Sequence, residues 1–169
     1  MGDANAGIDP TPVTLALYST IWIALTLFVI AQYGRQRTGT ARWVLPINIA
    51  GLVLCVTHIG IAMASVHGWS HASAIEATAR TTAAVYGLRW GGGVFVNYLF
   101  VAVWALDTWW SSIRGDRAEI SGLRLAVRLF YVIVIVNAAV IFARWPMRLV
   151  GVCLVIALAT AWNRRVSAL

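Results

Sequence analysis

The side chains able to do chemistry in this sequence are few. They are three histidines, His58, His67 and His71, and two cysteines, Cys55 and Cys153. His67 and His71 are four residues apart, a spacing that on a helix puts two imidazoles on one face suited to one metal ion, though two histidines alone leave a site short of ligands. With His58 they form the candidate set for a metal or for haem. Two features weigh against a metal. Gly68 interrupts the pair, and Ser73 with Glu76 makes an S-x-x-E capping box that predicts a helix from about Ala74, which leaves both histidines in a turn. Glu76 is also four residues before Arg80, in the favourable order for an ion pair. Interfacial histidines holding a loop by hydrogen bonds are therefore the favoured reading.

A second constellation is defined by depth. Cys55, His58, Asn97, Asn137 and Cys153 all fall in apolar segments. At ~1.5 Å per residue they lie within about two helical turns of a common level. Polar groups inside a membrane are costly and are candidates for function. Asparagines there also bond helix to helix, and buried cysteines behave as small hydrophobes, so packing is favoured over a copper site from His58, Cys55 and Cys153 or a haem held by His58 and a second histidine. Three histidines exclude a two-haem core, which needs four imidazoles. Asp107 is the one acid within a span, and its expected partner is Arg114 or Arg128 at the interface. No catalytic residue is assigned: G-x-S-x-G and H-E-x-x-H are absent, and Gly91–Gly93 lacks the G-K-[ST] of a phosphate loop. All thirteen basic residues are arginine, so lysine chemistry such as a Schiff base is excluded too.

The elements that must position these groups are membrane helices. Of 169 residues 60% are hydrophobic and 11% charged, against roughly a quarter charged in soluble domains. A span needs about 20 apolar residues. The chain offers five, at about 12–33, 44–66, 94–110, 125–143 and 146–162, with four the alternative if the last two form a re-entrant pair. Thr11 caps the first span, Pro12 opens it and Gly34 is expected to stop it. Residues 67–90 form an outer segment with a short amphipathic helix ended by Gly87. The fold class is an all-α polytopic helix bundle in one membrane domain.

Arginine placement sets the expected orientation. With the N-terminus outside, Arg35, Arg37, Arg42, Arg114, Arg117, Arg124, Arg128, Arg164 and Arg165 are inside, while Arg80, Arg89, Arg144 and Arg148 are outside. Trp43, Trp109, Trp110 and Trp162 then make an inner belt, and Trp69, Trp90 and Trp145 an outer one. The acidic N-terminal stretch with Asp3 and Asp9 is unlike a cleavable signal peptide. The net charge of +7 therefore marks topology rather than a nucleic-acid partner. The expected setting is a bacterial inner membrane, with lipid and other membrane subunits, or further copies of the chain, as partners. The leading functional expectation is a small subunit or assembly component of a larger membrane complex. The alternatives are a haem- or copper-binding redox protein using His58, His67 and His71, a small oligomeric channel or transporter, and an intramembrane enzyme.

Overall fold

The computed structural model describes residues 11–38, 42–114 and 121–163. Arg117, Arg164 and Arg165 lie outside the described residues, as do the side chains of Arg37 and Arg114. The described chain is all-helical: α1 Pro12–Thr38, α2 Val44–Ser65, α3 His71–Tyr86, α4 Gly93–Arg114, α5 Ser121–Val136 and α6 Met147–Asn163, with a π-helical turn, Asn137–Ile141, continuing α5. Three helical stretches, Pro12–Gln36, Val44–Ser65 and Gly122–Ile141, are long and apolar enough to cross a membrane. Helix α6 is apolar but shorter. Helix α4 has 22 residues, but Asn97, Asp107 and Thr108 make it more polar than the other three.

Local chemistry explains most boundaries. Thr11 Oγ1 accepts from the Thr14 N–H at 3.3 Å, a side-chain cap, and Pro12 follows it at the first helical position. Gly34 does not stop α1, which continues to Thr38. Its missing side chain instead admits the Trp43 indole, whose Cζ2 would lie 2.9 Å from an added Cβ. The cap of α3 differs from the S-x-x-E expectation as well. Ser70 is the N-cap, accepting from the Ser73 N–H at 3.2 Å, so the helix begins at His71, one turn earlier. The preceding reversal, with Gly68 at φ 55° and Trp69 at φ 59°, donates the Trp69 N–H to the Met63 carbonyl at 2.7 Å. At the far end Gly87, at φ 71°, closes α3 with a bond to the Ala83 carbonyl.

The core lies where α1, α2, α4, α5 and α6 meet. Phe28, Phe100, Trp104 and Tyr131 are all buried there. Phe28 sits edge-on to both Trp104 and Tyr131 at 4.9 Å between ring centroids, the arrangement that the ring quadrupoles favour. Leu158 brings α6 against the same cluster. A smaller cluster of Met63, Ala74 and Val94 ties α3 onto the C-terminal end of α2 and the N-terminal end of α4. Helices α2 and α4 are therefore antiparallel, with α3 packed across the end where one finishes and the other starts.

Candidate functional site

Polar groups gather at both ends of the bundle interior. At the end where α1 and α4 finish, Arg35 Nη1 donates to Asp107 Oδ2 at 2.8 Å, and Nη2 donates to Oδ1 at 3.4 Å. The two side chains are 10% and 14% exposed, so this is a nearly buried pair rather than a surface one. The Tyr131 hydroxyl donates to the same carboxylate at 3.4 Å. Arg35 is thus a partner of Asp107 that sequence proximity did not suggest, while the side chain of Arg114, one of the two expected partners, lies outside the described residues. Because α1 passes through Gly34, Arg35 remains helical and reaches the depth of Asp107. Arg128 donates to Gln36 Oε1 at 3.4 Å and lies over the Trp162 ring, 5.3 Å from its centroid.

Beside the pair is a closed hydrogen-bond relay. Trp104 Nε1 donates to Asn48 Oδ1 at 2.8 Å, Asn48 Nδ2 donates to Thr108 Oγ1 at 2.8 Å, and the Thr108 hydroxyl donates to the Trp104 carbonyl at 2.7 Å. Asn48, Trp104 and Thr108 are buried. Every polar atom of that relay has a partner, as burial demands.

The other end holds a cavity of about 210 Å³. Helix α2 lines it with Cys55, His58, Ile59, Ala62 and Met63, positions that repeat at helical spacing along one face for ~12 Å, and His67 lines it from the turn just beyond the helix. Asn97, Tyr98 and Phe100 of α4 face it, Ile21 and Leu25 of α1 and Val134 and Ile135 of α5 complete the walls, and Ala74 and Thr78 of α3 cover its end. Of the five residues matched in depth by the sequence, Cys55, His58 and Asn97 meet here, joined by His67. Asn137 does not line it: its Oδ1 accepts from the Tyr86 hydroxyl at 2.6 Å and its Nδ2 donates to the Ile133 carbonyl at 2.8 Å. Cys153 is exposed on α6. His71 is not among the lining residues but lies edge-on to one of them, Tyr98, at 6.0 Å.

The bonds of His58 define its chemistry. Its Nδ1 lies 3.0 Å from the Leu17 carbonyl and 3.3 Å from Thr20 Oγ1. A carbonyl only accepts, so Nδ1 carries the proton, and a neutral ring then keeps its lone pair on Nε2. The Thr20 hydroxyl is committed to the Ala16 carbonyl at 2.7 Å, so the Thr20–His58 approach is not a nucleophile and its base. Among the described residues, no three His, Cys, Asp or Glu side chains are grouped so as to hold a metal ion. On α3, Glu76 Oε1 receives Arg80 at 3.2 Å and Arg89 at 2.6 Å, with all three side chains exposed. Such solvated pairs contribute little to stability.

Comparison with protein-family models, with curated proteins and with solved structures gives no match. Local geometry therefore carries the functional argument. The sequence reading missed Arg35 as a partner of Asp107, and it missed Asn48, Thr108 and Tyr131 altogether. Asn48 carried a signal, since it is an amide inside an apolar run. Tyr131 and Thr108 carried none, because their roles depend on which helices α4 and α5 face.

Proposed function

We propose that the chain is a small multi-pass membrane protein that serves as a non-catalytic subunit or assembly component of a larger membrane complex. The observation that supports this is how its interior polar groups are used. Arg35 and Asp107, the Trp104–Asn48–Thr108 relay, and His58 on Leu17 all bond one helix to another, so the strongest groups in the bundle hold its shape. The side of α4 carrying Phe95, Leu99, Leu106 and Trp109 is exposed and apolar, which suits lipid or a neighbouring helix. In this reading α4 and α6 also cross, giving five spans of which α4 measures ~33 Å and α6 ~25 Å. The N-terminus is outside, and α3 lies at the outer face. Exposed Trp43, Trp109 and Trp110 at one end and Trp69, Trp90 and Trp145 at the other suit the two aromatic belts.

The test is a photo-crosslinking amino acid placed at Leu99 or Leu106 in native membranes, followed by purification in mild detergent and mass spectrometry. The expected result is a crosslink from α4 to one membrane protein, or to a second copy, that also co-purifies at fixed stoichiometry. A monodisperse monomer with crosslinks to lipid alone overturns the proposal.

A further inference from the structure

We infer that the cavity between α1, α2, α4 and α5 is a binding site for a neutral, bilayer-soluble ring compound bearing a phenolic hydroxyl, the chemistry of a quinol headgroup. This goes beyond the subunit reading, since a structural subunit needs no ligand site. Three observations lead to it. The first is size. A cavity of roughly 150 Å³ lined by apolar side chains accommodates benzene, so about 210 Å³ accommodates one substituted ring. The second is charge. No Arg, Asp or Glu is among the lining residues, and a charged ligand would have to be desolvated there without a counter-ion.

The third is the direction of the hydrogen bonds on offer. His58 lines the cavity with Nδ1 already committed to Leu17, which leaves Nε2 as an acceptor that asks for an O–H donor. Asn97 of α4 also lines the cavity, at an exposed position, and supplies both an amide donor and an acceptor. A hydroxylated ring can bond to both side chains, whereas an alkyl chain would leave the His58 lone pair against methylenes. Few oriented polar groups on apolar walls are the general form of a small-molecule site. The thiol of Cys55 lies in the same lining, and Met63 and Phe100 supply soft, apolar contact surface.

The experiment titrates trimethylhydroquinone, kept reduced under argon, into the purified full chain in detergent micelles and reads the heat of binding. Saturable binding with one ligand per chain is expected. The 1,4-dimethoxy analogue, which has the same ring but no O–H, is expected to bind about tenfold more weakly, the loss appropriate to one buried hydrogen bond. His58→Leu is expected to weaken the hydroquinone by a similar factor and to leave the dimethoxy compound unchanged. Ala62→Trp fills the cavity while keeping the His58–Leu17 bond, and is expected to abolish binding. Val152→Trp, on the exposed side of α6, is expected to change nothing. Circular dichroism melts establish that each variant is folded. Absence of saturation, equal binding of the two ring compounds, or displacement of the hydroquinone by equimolar 1-decanol each overturns the inference, the last by showing a site for a lipid chain.

Discussion

At the residue scale, the buried Arg35–Asp107 pair is the feature whose removal has the clearest sign. Two charges taken out of water are tolerated because each compensates the other, and removing one strands its partner. Asp107→Leu is therefore expected to destabilise the bundle by about 3–5 kcal/mol, and Arg35→Met by a similar amount. The double substitution is expected to recover most of that loss, because an apolar pair in a buried position is often as stable as the ion pair. Detergent-denaturation midpoints of the four proteins in this cycle check it; equal and additive losses would show that the two side chains act independently. Thr108→Val tests the neighbouring relay, since it leaves Asn48 Nδ2 buried without an acceptor. A loss of about 1–3 kcal/mol is expected in the same denaturation assay. These residues also show where sequence reasoning ends. Asp107 was recognisable from one acid in an apolar run, but its partner was sought among nearby arginines in sequence. Arg35, a partner 72 residues away, is revealed only by the packing of α1 on α4.

At the scale of elements, the boundaries that rest on local chemistry were legible and those that rest on packing were not. Thr11, Pro12 and Gly87 act within one or two turns of their own positions, and each does what its residue type suggests. Gly34 has the look of a helix stop, yet the indole of Trp43 makes it a close-packing site inside α1. Ser73 was the cap expected from the S-x-x-E spacing, but the backbone reversal at Gly68 and Trp69 starts α3 at His71 and gives the cap to Ser70. Ser70→Ala is accordingly expected to lower the stability of α3 by about 1 kcal/mol, while Ser73→Ala has a smaller effect; hydrogen exchange of the α3 amides distinguishes them. The small residues of α2 separate in the same way. An added Cβ at Gly51 would meet Trp104 Cη2 at 3.1 Å, whereas Gly60 has nothing within 4 Å. Gly151 of α6 makes the closest approach among the described glycines, because any side chain there would collide with the Ala139 carbonyl of the π-helical turn. Gly151→Leu is thus expected to prise α6 from α5 with a loss of at least 1–3 kcal/mol, and Gly60→Ala to be neutral or slightly stabilising through helix propensity. Thermal denaturation of the two variants beside the parent decides between a packing role for both glycines and a role for one.

At the scale of the whole molecule, the antiparallel course of α2 and α4 makes the topology testable with single reporters. Three helical stretches have the length and apolar character to cross a membrane, and the interior bonds now constrain the other two. Asp107 of α4 is at the same level as Arg35 near the end of α1, and Val94 is at the level of Met63 near the end of α2. If α1 and α2 cross, α4 is held alongside them over nearly their full length, whatever its own hydropathy. Helix α6 is tied to the same core by Leu158, a buried member of the cluster that holds Phe28, Phe100, Trp104 and Tyr131. The five-span reading with the N-terminus outside then assigns each connection to a side. Cysteines introduced at Ser70 and Trp145, in a Cys55→Ser, Cys153→Ser background, are expected to react with a membrane-impermeant maleimide in intact cells. Cysteines at Ser112 and Asn163 are expected to react only after the membrane is opened. Labelling of Ser112 and Ser70 from the same side would remove α4 as a span, and labelling of Trp145 and Asn163 from the same side would make α6 re-entrant. The complete inverse pattern would keep five spans and reverse the orientation, which would mean that the arginines at the α1–α2 and α4–α5 ends are not the topology signal.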